Sequence, residues 1–426
     1  MGFSRTLLAL IVGQLALHGC MAGVRMAAPL QALRQGHAAW AVGLLMALFA
    51  AAPVLVVMRA GRYADRHGYH RPLRWAVALT ACGALIAVVS TWLGNASFAL
   101  LCVAAMLTGA GANIGLITIQ RSASRGARDA TERMRVFSWL GLAPAMANVV
   151  GSVSAGLMID IGGFRAAFAL LALLPFVALW VSRRVPREVP EPASPADAQR
   201  TAWHLLHTPG MRRLLFVNWL LSAAWDVHTF ALPILGHERG FSASTIGLIL
   251  GVFPLSVSGV RLIVPLLAHR ANETQVLRWS MLGTAAVFAI YPLMHSPWLM
   301  GACAVALGFP LGSVQPMIMS KLHHITPHDR HGEAIALRSM TLNLSSTVLP
   351  LFFGAAGTAI GVGPLFWLMG AAVGSGSWAT RALARPQNLT PGAVGAVSLA
   401  GGAVRGGAGV GRASSRGTSG SGAGNS

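Results

Sequence analysis

Gly61-Arg62-Tyr63-Ala64-Asp65-Arg66-His67-Gly68-Tyr69-His70-Arg71-Pro72-Leu73 is a short polar insert between two long apolar runs, 38–58 and 73–93. Its two glycines allow the backbone to turn sharply where a side chain would resist. Its one carboxylate, Asp65, stands among several guanidiniums and needs a cationic partner. Arg66 and Arg71 are near in sequence, and the positive end of a helix dipole is another candidate. Two apolar runs of this length joined so briefly read as a helical hairpin.

Outward from this insert the same pattern repeats. The chain is 54% hydrophobic and only 10% charged, against about 25% charged in soluble domains. A helix needs about 20 apolar residues to cross a hydrocarbon core. Twelve spans are expected, near 6–30, 38–58, 73–93, 97–119, 136–160, 164–182, 212–235, 244–267, 277–295, 298–320, 335–360 and 364–382. The last two share one uncharged stretch, divided by the turn signal Gly361-Val362-Gly363-Pro364. The fold class expected is an all-α membrane protein.

The net charge of +20 would suit a nucleic-acid partner if it formed a patch, but it does not. With the N-terminus inside, 27 of the 32 basic residues fall on inside segments, and only Arg34, Arg165 and Arg239 fall outside. This is the positive-inside asymmetry. It excludes nucleic acid as the partner and puts both termini in the cytoplasm of a cell (inner) membrane protein that crosses the bilayer many times. Cys20, Cys82, Cys102 and Cys303 all lie within expected spans, so no disulfide framework is read. Leu17-His18-Gly19-Cys20 mimics a lipoprotein cleavage box and Met1-Gly2 with Thr6 mimics an acylation signal. Both are read as chance, and 6–30 as an uncleaved first helix.

The Pro-, Arg- and Glu-containing stretch 183–211 separates six spans from six. Shifting the chain by 204 residues superposes Gly43-Leu44 on Gly247-Leu248, Phe49 on Phe253, Arg66 on Arg270 and Leu73-Arg74-Trp75 on Leu277-Arg278-Trp279. Duplicated parallel halves are an established transporter architecture, with substrate bound near the midplane between them. The expected organisation is a six-helix bundle over 1–182, a cytoplasmic linker over 183–211, a second bundle over 212–385 and a Gly-rich flexible tail over 386–426.

The spacing Gly-x-x-x-Asp-Arg-x-Gly-x-x-Arg within 61–73 resembles the loop signature of the major facilitator superfamily (MFS) of transporters. Gly163-Phe164-Arg165-Ala166-Ala167-Phe168 is similar to that family's usual entry to its sixth helix. The resemblance implies two pseudo-symmetric six-helix bundles and alternating access. It also implies that Gly61, Asp65, Arg66, Gly68 and Arg71 form a conformational latch with the eleventh helix, which starts near Glu333 to Arg338. In the shifted copy His269 replaces Asp65 and Asn272 replaces Gly68, so a second latch would be weaker.

An ionisable group at mid-bilayer costs on the order of 3 kcal/mol on insertion scales, so it needs a partner or a watery cavity. Asp226 is the deepest carboxylate, in Trp225-Asp226-Val227-His228. Arg25 maps by the 204-residue shift onto Thr229, within one turn of Asp226. In the resembled family the first and seventh helices line the cavity, which makes Arg25 and Asp226 a candidate pair across it. Gln14 maps onto Asn218, and His18 lies between Gln14 and Arg25. The candidate substrate- or proton-binding set is Gln14, His18, Arg25, Asn113, Asn218, Trp225, Asp226, His228 and Gln315. Arg261 reads as a residue that snorkels to the interface.

Two departures from the resembled pattern bear on coupling. Ala104-Ala105-Met106-Leu107-Thr108-Gly109 lacks the fourth-helix arginine of many proton-coupled members. In the fifth helix, 147–156 keeps only Gly151 and Gly156 of the antiporter glycine–proline motif. His323, His324, His328, His331 and Glu333 cluster without a sharp ligand spacing and read as a solvated loop. No nucleophile–base arrangement or dinucleotide loop is present, so no enzyme, metal or cofactor is expected.

The reading is a monomeric secondary transporter that moves a small organic molecule through the lipid bilayer by proton-coupled export. Two alternatives stay open: uptake or facilitated diffusion of a small organic anion against Arg25, and a non-transporting membrane sensor or assembly factor on the same fold.

Overall fold

In hydrocarbon no water is available to the backbone, so a chain this apolar satisfies its amide groups within helices. A computed structural model describes residues 2–126, 130–187, 202–267, 272–326 and 331–383. Among them are eleven α-helices: α1 (Gly2–Arg34), α2 (Ala39–His67), α3 (His70–Ser90), α4 (Ser97–Gly126), α5 (Ala130–Ser182), α6 (Met211–Glu238), α7 (Ala243–Leu267), α8 (Glu273–Ile290), α9 (Pro297–Ile325), α10 (His331–Ile360) and α11 (Val362–Leu383). Among the described residues, eight helices are long and apolar enough to cross a membrane. The tail expected over 386–426 lies outside the described residues.

The count differs from twelve for a local reason. α5 runs for 53 residues but breaks at Gly163, whose φ of 75° and ψ of −177° are not helical. That break falls where the sequence divides the fifth and sixth spans, and an L side chain would resist its positive φ. The second difference concerns the signature insert. Helix α2 continues through Gly61 and Asp65 to His67, and α3 begins at His70, so most of the expected loop is helix. The turn is confined to Gly68-Tyr69. Gly68 adopts φ 69° and its N–H bonds to the Ala64 carbonyl at 3.0 Å, closing α2. A helix may run past the hydrocarbon boundary, so hydropathy marks the membrane edge and not the helix end.

α1 to α5 pack as one bundle and α6 to α11 as another. In the second, α6 is buried over most of its surface and on every side from Phe230 to Gly236, as befits a helix shielded from lipid. Large apolar side chains face outward, including Trp298 at 88% exposure; such a surface suits acyl chains, not water.

The bundles meet along two pairs of helices, α5 with α7 and α2 with α10. Both meetings are backbone-close. A Cβ on Gly247 would collide with the Ser152 carbonyl, and one on Gly156 with the Ala243 carbonyl. A Cβ on Gly43 would collide with the Pro350 carbonyl, while one on Gly354 would lie 3.0 Å from the Trp40 Cα. Small residues permit this approach. All four glycines lie toward the end of the molecule where α1 turns into α2 and α6 into α7, here termed the arginine-poor end.

Candidate functional site

A cavity of about 330 Å³, within the usual range for small-molecule sites, is walled by the second bundle and reached from the first by Arg25. Arg25 reaches it from α1, Asn218, Trp225 and Asp226 from α6, and Gln315 from α9. These five were legible in the sequence. Asp226 is 7% exposed, and its Oδ2 accepts a hydrogen bond from Ser346 Oγ of α10 at 3.2 Å. Asn218 is buried, and its amide nitrogen has no partner there. Arg25 lies within electrostatic reach of Asp226. The two make no direct ion pair, and Arg25 Nε instead points at Met46 Sδ, 3.4 Å away. A smaller hollow of about 80 Å³ shares Arg25 and Trp225 with the main cavity and continues toward Asn148 and Ser152 of α5.

Other expected site residues lie elsewhere. His228 is fully buried inside the second bundle, its Nε2 3.1 Å from the Tyr291 hydroxyl and its ring 4.5 Å from that of Phe253. It does not line the cavity, for a helical reason. Residues i and i+2 of an α-helix are about 200° apart around the axis, so the face that presents Asp226 to the cavity turns His228 away. Asn113 donates through Nδ2 to the Gly109 carbonyl of its own helix at 3.2 Å, which uses the group locally. Gln14 and His18 are buried in the first bundle. Gln14 leaves both amide atoms without partners, and His18 leaves Nδ1.

Ser346, the partner of Asp226, escaped sequence reading, and so did the inward reach of two arginines. Arg261 of α7 and Arg338 of α10 both line the cavity, and each has a buried Nε without a hydrogen-bond partner. The expectation that Arg261 snorkels away is therefore corrected: its side chain turns inward. Both lie near helix ends, where a lone arginine reads as an interfacial residue, and no local signal shows which way it points.

Of the residues expected to form a latch, Arg66 and Arg71 are exposed and Gly68 is buried at its turn. The side chain of Asp65 lies outside what is described, as do the α10 side chains at 331–333. In the histidine cluster, His324 Nδ1 lies 3.2 Å from Glu273 Oε1, which also accepts from Ser320. His328 is outside the described residues.

Comparison with known proteins matches the model of the Major Facilitator Superfamily over residues 10–270 and 214–408. The Enterobactin exporter EntS of Shigella flexneri is 26% identical over 312 residues, covering 68% of this chain and 70% of that protein. The same exporter of Shigella boydii is 24% identical over 297 residues, with the same coverage. Among solved structures, a POT family transporter in complex with 5-aminolevulinic acid superposes with a TM-score of 0.73 at 13% identity, covering 88% of this chain and 95% of that one. A bacterial homologue of the iron transporter ferroportin, in an inward-facing state, gives 0.69 at 17% identity, covering 89% and 99%. The match spans more than half of the chain and agrees with the two-bundle architecture around a central cavity. The chain belongs to the Major Facilitator Superfamily, and is a non-enzymatic, multi-pass membrane transporter.

Proposed function

We propose that this transporter exports a small organic molecule by alternating access, with proton movement through Asp226 coupled to the flux. The observation that carries the reading is the position of Asp226: a nearly buried acid in a cavity of the second bundle that Arg25 of the first bundle also lines. An acid there can release its proton when the cavity opens to one side and regain it when the cavity opens to the other. Each charge that crosses exchanges about 2.3 kcal/mol with a 100 mV potential. The arginine asymmetry supports placing the arginine-rich end in the cytoplasm. The EntS relatives support export and make enterobactin the first cargo to test.

The test uses protein reconstituted in vesicles, with a pH gradient imposed across the membrane and enterobactin followed by a small-molecule panel as cargo. Gradient-dependent flux is expected for the unmodified protein and should fall more than tenfold in Asp226→Asn, with insertion unchanged. Flux that ignores both the gradient and this substitution would replace coupled export with facilitated diffusion. Absence of flux for every cargo would favour a sensor.

A further inference from the structure

The main cavity is electrically lopsided. Arg25, Arg261 and Arg338 enter it from three different helices, while Asp226 is the sole carboxylate among its described lining residues. Three guanidiniums against one carboxylate leave two positive charges uncompensated, or three when Asp226 holds a proton. Arg25 has Asp226 within electrostatic reach. Arg261 and Arg338 instead line the same cavity as like charges within electrostatic reach. Neither forms an ion pair with any acid among the described residues, and each holds a buried Nε with no hydrogen-bond acceptor.

Guanidiniums withdrawn from water toward a membrane interior persist where something compensates them. Between these two, one from α7 and one from α10, no carboxylate other than Asp226 is found among the described lining residues. A guanidinium is a planar fork of donors that matches a carboxylate or phosphate with two parallel hydrogen bonds. The missing partner is therefore an anion that arrives from outside the chain. The rest of the wall suits an organic body: Trp225, Leu311, Val314 and Leu342 provide apolar surface.

We infer that Arg261 and Arg338 form an anion clamp, and that the cargo is a small organic anion whose carboxylate or phosphate sits between them with its apolar body against Trp225. This rests on the reading of the cavity as the cargo site but does not depend on proton coupling.

Binding to the purified full-length protein, with no pH gradient, tests the clamp. The probes are benzoate, citrate and inorganic phosphate, with benzamide as the neutral isostere of benzoate, and the readouts are thermal melting and direct calorimetric titration. At least one of the three anions is expected to bind and raise the melting temperature, while benzamide does neither. Arg261→Gln and Arg338→Gln should each weaken that binding about tenfold or more, the loss expected for one charge-assisted contact, and Arg338→Lys should recover part of it. Without ligand, Arg338→Gln should melt no lower than the unmodified protein, because it relieves a repulsion and breaks no ion pair.

Benzamide binding as well as benzoate, anion binding indifferent to both arginines, or no response to any of the three anions would overturn the clamp. So would a ligand-free Arg338→Gln protein of clearly lower melting temperature. Failure of coupled export appears separately, as flux of a bound anion that ignores the pH gradient while the arginine dependence persists.

Discussion

The two meetings between the bundles, α5 with α7 and α2 with α10, are near copies that differ in charge. Ala39 and Gly43 of α2 correspond by the 204-residue shift to Ala243 and Gly247 of α7, and each glycine lets its helix lean on a carbonyl of the opposite bundle. Each helix also begins there with bare N–H groups, the unsatisfied first turn of any helix, and each borrows a cap from across the interface. For α7 the cap is ionic. Asp160 of α5 accepts from the Ala243 and Ser244 N–H groups at 3.0 and 2.7 Å. For α2 it is neutral: Thr358 Oγ1 of α10 accepts from the Trp40 N–H at 3.0 Å, and Ala38, the residue preceding α2, offers no side-chain cap. Among the described residues, these are the hydrogen bonds that join the two bundles, and all lie at the arginine-poor end. Duplication thus accounts for the shared geometry, and later divergence for one strong seam and one weak one. Under alternating access, opening that end must part both seams, and the α5–α7 seam should resist more.

The largest effect is expected from breaking the backbone approach itself. Gly247→Val places branched carbon against the Ser152 carbonyl, which cannot yield as a flexible side chain would. Overpacking of this kind costs about 1–3 kcal/mol, enough to shift a two-state equilibrium roughly 5- to 150-fold. Spin-label distances between the bundles at this end should lengthen and flux should fall, while the melting of each bundle changes little. Gly43→Val should act in the same sense, through Pro350. If neither lengthens the distances, these glycines are packing details of one conformation and not the closure.

A smaller effect is expected from Asp160→Asn. One amide oxygen cannot replace two carboxylate oxygens, so one of the two N–H groups loses its acceptor and α7 loses the negative charge at its positive end. Caps and helix-dipole charges are each worth about 0.5–2 kcal/mol. The label distances should shift toward the separated state by less than with Gly247→Val. Because Asp160 is exposed, the shift produced by the substitution should shrink at high salt. A salt-independent shift would mean that geometry, and not charge, distinguishes the seams.

How far sequence reading reached follows from which forces act locally. Hydropathy located the helices because burial in lipid is decided residue by residue, and it misjudged the 61–73 insert because helix propagation does not stop at the membrane surface. Asp226 was legible since a lone acid in an apolar run has few explanations. Arg261 and Arg338 were not, because their meeting depends on how α7 and α10 are placed around the cavity. Asp160 was equally silent, as its partners are backbone groups 83 and 84 residues away. The repeat did carry a signal for the seams: Gly43 and Gly247 share a register in the two halves. Two side-chain-free positions at equivalent depths mark equivalent close approaches, a reading that needs no structure. His228 shows the converse error, in which nearness along the chain was taken for nearness in the cavity.

The smallest effect, and the sharpest control on the comparison, is Thr358→Val. Valine matches threonine in shape and removes only the hydroxyl, which accepts from Trp40 N–H and donates to the Gly354 carbonyl of its own helix at 2.8 Å. The bond to Trp40 is exposed, so water can replace it, and a neutral exchange of this sort is worth at most about 0.5–1 kcal/mol. Label distances should move severalfold less in population than with Asp160→Asn and should not respond to salt. Thr358→Asp then reverses the design, offering α2 the ionic cap that α7 already has. If charge is what separates the two seams, that protein should hold the arginine-poor end shut more firmly and slow transport; if it behaves like Thr358→Val, the difference lies in the backbone contacts alone.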